Sequence, residues 1–586
     1  MIDKAAIYHR PESEYAYMYD SKTVHIRIRT KKDNVEKVNI LHGDPYLIYL
    51  PNQLMKSPLT KIASSRWHDY WQIELSGPHR RMSYIFELEA ADEIIYYSDI
   101  GALSHEVSHL DIAYNYFKLP YLHEADRFKE PRWVKDTVWY HIFPERFANG
   151  DPSLTPEGAL PWNSTIVPKN RDFFGGDLKG IYDHLDYLED LGINGLYFCP
   201  IFEANSNHKY DTVDYYEIDK HFGDKEMFRK LVDEAHRRGM RVMLDAVFNH
   251  IGSHAPQWLD IVEKGEQSIY KDWFHIHSLP IKAVDMKDYR NYQAINYDAF
   301  GYVPNMPKWN TSHPEVKQHL LAIAKYWIEE FDIDAWRLDV ANEVDHRFWR
   351  SFHDEVTALK PDFYIVGEIW HSSQAWLQGD QFHAVMNYPL TRAISDFFLT
   401  KTANATELNE RIQEQTMLYR KQTNQVMLNS LDSHDTPRIL TIAGGDKKAV
   451  KSALAFMYLQ QGSPCLYYGT EMGLDGGNDP ECRKVMPWDP EQQDLDMHAF
   501  VRQLIHLRRE YAHHIVNGTT SYQVEGNLIM VEIVYDEKVI KGYFNQSEES
   551  VTVEKDGLEV LLELMVEDHE IQAGGLMIVN GSMVKI

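Results

Sequence analysis

The chain has 586 residues, too many for one ordinary hydrophobic core, so its length predicts about three or four domains and excludes a small adaptor. Its formal charge is −28, from 88 acidic and 60 basic side chains with no long lysine or arginine run, which repels polyphosphate backbones and excludes nucleic acid as a partner. Cys199, Cys465 and Cys482 are too few for a disulfide framework and lack zinc-finger spacing, so reduced thiols are expected.

The opening MIDKAAIYHRPESEYAYMYD has no charged leader followed by an apolar core, and no later window is apolar over the roughly 18 residues a membrane helix needs. A soluble, cytoplasmic protein with no membrane partner is the expectation. The runs VHIRIRT (24–30), YWQIELS (70–76) and MSYIFELEA (82–90) alternate apolar and polar positions, which predicts an antiparallel β-sandwich over 1–122. The polar stretch HEADRFKEPRW (123–133) reads as a linker.

From there the pattern changes to short apolar runs separated by helical periodicity. Candidate strands are VWYHIFP (138–144), INGLYFCP (193–200), RVMLDAVF (241–248), DAWRLD (334–339), FYIVGEI (363–369), AVMNYP (384–389), QVMLNSLDS (425–433) and SPCLYYG (463–469). Between them, 180–192 carries Ile181, Leu185, Leu188 and Leu191 at helical spacing, and 224–239 carries Phe228, Leu231, Val232 and Ala235. Gly192 and Gly239 stand where left-handed residues would end these helices, and Glu343 would open another with Phe348, Phe352 and Val356. Eight strand–helix units over 123–505 predict an α/β fold, a (β/α)8 TIM barrel. The long gap after the third strand predicts an inserted subdomain at about 250–310, rich in Trp, Tyr, His and Asn. NLIMVEIVY, VIKGYFN and GLMIVNG then predict an antiparallel β domain over 506–586.

Barrels of this kind keep their chemistry at the carboxyl ends of the strands. The fourth strand ends at Asp339 in WRLDVANE, the fifth at Glu368 in GEIW, and the seventh leads to Asp435 in DSHDTPR. The third carries Asp245 and runs to His250 in DAVFNH. Arg337 shares a strand face with Asp339, so a structural ion pair competes with a catalytic role there; convergence of acids from three strands favours the catalytic one. Acids with His and Arg, and no closely spaced His pair for metals, suit glycosidic bond cleavage over two-metal hydrolysis.

DAVFNH, WRLDVANE, GEIW and SLDSHD, in this order, resemble the signature regions of the α-amylase family of retaining glycoside hydrolases. MPKWN (306–310) and VANE resemble tags of its neopullulanase, cyclomaltodextrinase and maltogenic amylase subfamily, with Trp309 where leucine is usual and Ala335 where glycine is common. The resemblance implies a starch-binding-like amino-terminal sandwich that pairs two copies as a homodimer. It implies Asp339 as nucleophile, Glu368 as general acid/base and Asp435 as transition-state stabiliser. Arg337 would hold Asp339 ionised and oriented, Arg337, Asp245, His250, His434, Asp479 and Arg483 would bind the substrate, and Tyr210 would be an aromatic platform beneath the sugar. Trp370 and Glu343 would face the leaving or accepting sugar. A structural calcium ion is implied at Asn149, Asp151, Gly175 and Asp177, with Leu154 and Thr155 where some relatives supply further oxygen-bearing side chains; no organic cofactor is implied. The implied substrates are cyclodextrins, pullulan and maltooligosaccharides, cut at α-1,4 and some α-1,6 bonds, with transglycosylation. A catalytically silent glucan-binding or transporter-accessory barrel is the reading from another class, and loss of one of the three acids would signal it.

Overall fold

The computed structural model describes residues 1–76, 80–282, 292–553, 557–568 and 570–582. Residues 283–291 of the expected inserted subdomain and 583–586 of the expected carboxyl-terminal domain lie outside the described residues. The chain forms two compact units, one of residues 1–129 with 377–379 and 403–424, the other of 130–376, 380–402 and 425–586.

The first unit contains the expected antiparallel sandwich. One sheet orders Ala16–Met18, Thr23–Lys31, His68–Ser76 and Thr60–Ser64; the other is built around Lys37–Gly43, Met82–Ala90 and Glu93–Ser98. Alternation puts Ile26, Ile28, Trp71, Ile40 and Phe86 into one buried core. The helix Ala405–Met417 belongs to this unit, tied by a hydrogen bond of 2.9 Å from Arg27 Nη1 to the Met417 carbonyl.

The second unit holds the barrel. Its eight parallel strands are Trp139–Ile142, Gly195–Phe198, Arg241–Ala246, Ala335–Leu338, Tyr364–Gly367, Ala384–Val385, Leu428–Asn429 and Ser463–Tyr467. They pair in the order 6-5-4-3-2-1-8-7, and a parallel bridge between Met386 and Leu428 joins the two ends. This is the (β/α)8 architecture expected from the alternating pattern. The helix Lys225–Arg237 shows why the local sequence folds as it does: Asp224 accepts the Met227 N–H at 2.8 Å, and Phe228, Leu231, Val232 and Ala235 form its buried stripe. Gly239 follows at φ +74°, and Gly192 ends the preceding helix at φ +97°, a region open to glycine without a Cβ penalty.

Several elements differ from expectation. The segment 180–192 is two helices, Leu178–Asp183 and Leu185–Leu191, because Asp177 caps the first and His184 leaves helical geometry between them. The sixth strand stops at Val385, since Tyr388–Ile394 is a helix and Pro389 favours a helix's first turn over a strand. Helix Leu495–Glu510 runs across the 505/506 boundary, helix Ala512–Asn517 follows it, and the closing antiparallel sheet starts at Thr519.

The described part of the insertion packs around aromatic rings: Trp258 against Phe274 and Tyr297, with centroids 5.0 and 4.7 Å apart, and Phe274 stacked on Trp309 at 4.6 Å. Trp309, the departure from the MPKLN tag, is therefore a core residue of this subdomain. Among the described residues, no helix is long and apolar enough to cross a membrane.

Candidate active site

Sheet register brings the acids together. Asp245 lies opposite Arg337 on the neighbouring strand, and Leu338 lies opposite Gly367, so Asp339 and Glu368 leave adjacent strands side by side. Main-chain bonds extend this registry past the strand ends: the Asp339 N–H donates to Ala246 O at 3.1 Å and the Glu368 N–H to Leu338 O at 2.9 Å.

Arg337 is fully buried and binds three carboxylates with one fork. Nη1 donates to Asp245 at 3.0 and 2.8 Å and to Asp339 Oδ1 at 2.9 Å, while Nη2 forms an ion pair with Glu368 Oε2 at 2.8 Å. The two expected catalytic carboxylates thus sit on opposite nitrogens of one guanidinium. Burial pushes the Asp339 pKa well above the usual carboxylate range; Arg337 opposes this, and the like charges of Glu368, Asp245 and Asp435 add to it. Burial likewise raises Asp245 to about 6 against the pull of Arg337. Three buried carboxylates face one guanidinium, so a positive charge arriving among them, as on a cationic sugar, is favoured.

A second network anchors the expected sugar-contacting residues. The Tyr210 hydroxyl donates to Asp245 Oδ2 at 2.9 Å and lies 2.6 Å from His434 Nε2. The ionised Asp245 only accepts, so His434 Nε2 carries the hydrogen. The Tyr210 ring lies nearly parallel to that of His434, tilted by 6° with centroids 5.4 Å apart. His250 donates from Nε2 to the Tyr210 carbonyl at 3.1 Å and takes the Asn249 amide on Nδ1 at 3.3 Å, so its ring nitrogens brace the pocket wall. Burial holds His250 down to about 3 and His434 well below its ordinary value, leaving both imidazoles uncharged at neutral pH.

Asp435 follows the seventh strand on a turn whose Ser433 Oγ accepts the Asp435 N–H at 3.2 Å. Its carboxylate lies 3.3 Å from His434 Nε2 and 3.5 Å from Arg483 Nη2, and Arg483 also holds Asp479 at 2.9 Å and the His434 carbonyl at 2.8 Å. Its side chain is 29 % exposed, against 8 % for Asp339 and for Glu368, which puts Asp435 at the mouth and the other two deeper.

Trp370 is half exposed, donates from Nε1 to Glu368 Oε1 at 3.1 Å and stacks on Tyr388 at 3.7 Å. Glu343 does not open a helix. It lies in the short turn Ala341–Glu343, its carboxylate paired with Lys308 of MPKWN at 2.9 Å, and the helix His346–Leu359 starts at its own cap Asp345. A capping aspartate two residues later outcompetes Glu343 because it accepts the Phe348 N–H.

Four residues of this neighbourhood were not singled out in the sequence: Tyr197, Val340, Lys308 and Tyr388. Tyr197 donates to Asp245 Oδ2 at 3.2 Å from the second strand, a role its place in INGLYFCP was compatible with. Val340 carried no signal. It sits at φ +46°, where a β-branched residue is strained by about 1–2 kcal/mol, and there its N–H donates to Glu368 Oε2 at 2.9 Å.

The residues matched to a calcium site gather in a separate loop. Asp177 accepts the N–H groups of Gly150, Asp151 and Gly180, and Asp151 accepts that of Ser153. The Asn149 amide donates to Thr155 Oγ1 at 2.8 Å, leaving Asn149 Oδ1 buried with no partner, and Gly175 runs so close that a Cβ would lie 2.7 Å from Thr155. The loop therefore offers one orphaned oxygen, with Asp151 and Thr155 beside it. The donor type suits a hard cation, and water would have to complete its shell.

Residues 141–521 match the family described as "Alpha amylase, catalytic domain", and residues 1–123 match "Alpha amylase, N-terminal ig-like domain". The chain is 51% identical over 552 residues to an intracellular maltogenic amylase of Bacillus subtilis (strain 168), covering 93% of this chain and 91% of that protein. It is 53% identical over 509 residues to a cyclomaltodextrinase of Geobacillus thermopakistaniensis (strain MAS1), covering 87% and 85%. A solved cyclomaltodextrinase structure superposes with a TM-score of 0.91 at 44% identity, covering 99% of this chain and 100% of the other.

Proposed function

Because this chain belongs to the α-amylase family and is a hydrolase of that family, we propose that it cleaves α-1,4-glucosidic bonds in cyclodextrins, pullulan and maltooligosaccharides with retention of configuration, accepts some α-1,6 bonds, and transfers glycosyl groups to sugar acceptors. The observation that supports this reading most directly is the pair of carboxylates, Asp339 and Glu368, on opposite nitrogens of the buried Arg337.

In the proposed reaction Asp339 attacks the anomeric carbon while Glu368 donates its proton to the departing glycosidic oxygen, so the C–O bond to the leaving sugar breaks as the bond to Asp339 forms. Water or an acceptor hydroxyl then loses its proton to Glu368 and displaces Asp339, which restores both groups. Asp435, at the mouth, binds the hydroxyls of the distorted ring, and carboxylates that outnumber the one guanidinium favour the oxocarbenium-like transition state. Trp370 and Glu343 face the departing or accepting sugar. The silent-barrel reading has no support, since all three acids are present.

Incubation with β-cyclodextrin tests the proposal: maltose and glucose are expected, first released as the α-anomer by NMR, and no release or a β-anomer would refute it. Asp339→Asn and Glu368→Gln should each lower kcat by at least about 10³-fold with an unchanged circular dichroism spectrum. We place the protein in the cytoplasm, as the name of the Bacillus subtilis relative suggests for that protein, and as a homodimer through the amino-terminal sandwich. Fractionation and sedimentation test these two statements. We also assign a structural calcium ion to Asn149 Oδ1, Asp151, the Gly175 backbone and Asp177, where it would fix the loop after the first strand; an unchanged melting temperature in EDTA would refute it.

A further inference from the structure

Beside the sugar-binding network, and touching its His434, lie two buried side chains that the proposed reaction does not use. His141 on the first strand and Cys199 just after the second are both buried, with His141 Nε2 3.2 Å from Cys199 Sγ. The His434 ring meets that of His141 edge-on at 5.1 Å. One ligand atom from each of the three residues lies within 4.8 Å of the other two.

The hydrogen bonds around His434 decide what that cluster is. Nε2 faces only acceptors that demand its hydrogen, the Tyr210 hydroxyl at 2.6 Å and Asp435 at 3.3 Å. Nδ1 is left with its lone pair, and it is fully buried with no hydrogen-bond partner. A buried imidazole nitrogen left without a hydrogen-bond partner costs on the order of 1–3 kcal/mol. Metal-binding histidines have this same arrangement, with one nitrogen free for the ion and the other hydrogen-bonded onward to a carboxylate, here through Tyr210 to Asp245.

We propose that His141, Cys199 and His434 form a binding site for a borderline transition-metal ion, zinc in particular, and that its occupation inhibits the enzyme. Two imidazoles and a thiolate suit zinc and reject calcium and magnesium, which require oxygen. Zinc–nitrogen and zinc–sulfur bonds of about 2.0–2.3 Å need ligand atoms roughly 3.3–3.7 Å apart, a spacing the His141–Cys199 pair already approaches. The ion replaces the thiol hydrogen: a sulfur–zinc bond forms, the S–H bond breaks and one proton leaves to solvent. Zinc with one thiolate adds a net positive charge next to Asp435 and Asp245, where a cationic sugar must develop, and it pins the histidine that supports Tyr210.

Inhibition rests on the glucosidase reading, but binding does not, so two measurements separate them. Co²⁺ titration of the full-length wild type should give a thiolate-to-cobalt absorption band with one ion per chain, and Cys199→Ala and His141→Gln should each lack the band. Zn²⁺ should cut β-cyclodextrin hydrolysis by at least tenfold in the wild type, reversibly with EDTA, while Cys199→Ala keeps its metal-free rate and resists the inhibition. A band that persists in Cys199→Ala, or no band in the wild type, would overturn the site. A band without inhibition would overturn the inhibitory role alone.

Discussion

Replacing Arg337 by lysine tests the organisation of the acids most sharply, because it keeps the charge and removes the fork. In the structure Nη1 serves Asp245 and Asp339 and Nη2 serves Glu368, all between 2.8 and 3.0 Å. An ammonium is a single compact point, so it can hold one of these carboxylates well and leaves the others buried without their partner. Each charge-assisted bond is worth about 1.5–3 kcal/mol, and stripping a buried charge of its partner costs about 3–5 kcal/mol. A loss of about 3 kcal/mol in transition-state stabilisation is therefore expected, somewhat more than 10²-fold in kcat/KM. The pH profile adds a readout that unfolding would not mimic. Arg337 is the group that pulls the burial-raised Asp339 pKa back down, so weakening it should move the acid limb of kcat/KM to higher pH. Steady-state rates on β-cyclodextrin from pH 4 to 9, with urea unfolding in parallel, measure both. A variant within about threefold of wild type and with an unmoved acid limb would refute the fork argument.

Tyr210→Phe keeps the ring beside His434 but removes the hydroxyl between Asp245 and His434, and kcat/KM should fall about 10- to 100-fold, with Asp245 rising above its present value of about 6. Asp245→Asn should change how stability depends on pH. The folded-state pKa of about 6 exceeds the ordinary 3.8, so wild-type stability from this group is full below about pH 4 and is lost as pH rises to about 6. The variant's deficit in urea should accordingly narrow between pH 4 and 7; a deficit that widens would contradict the assignment. Val340→Asn places a residue tolerant of left-handed geometry at φ +46°, and urea unfolding should show a gain of roughly 0.5–1 kcal/mol with kcat retained, since the N–H to Glu368 comes from the main chain. Trp309→Leu restores the tag leucine but empties space beside Phe274 and removes the Nε1–H donated to Tyr215 at 3.3 Å, so a loss of about 2–3 kcal/mol is expected by the same method.

All eight barrel strands, the sandwich and the three acids were legible in the sequence because period-two and helical patterns are local and because strand ends in a barrel converge by topology. WRLDVANE carried its ion pair visibly, two residues apart on one strand face. The same eight residues hid Val340, since nothing in a β-branched side chain announces a left-handed backbone, and they suggested a helix at Glu343 that the stronger cap at Asp345 takes instead. The His141–Cys199–His434 cluster was equally invisible, its members 58 and 235 positions apart in the chain and joined only where barrel strands 1, 2 and 7 close. Pattern along the chain determined which segments become strands and which strand ends carry acid. Only the closed barrel decided that one guanidinium would answer three of those acids, because hydrogen bonds and burial depend on distances that sheet register sets and sequence spacing does not.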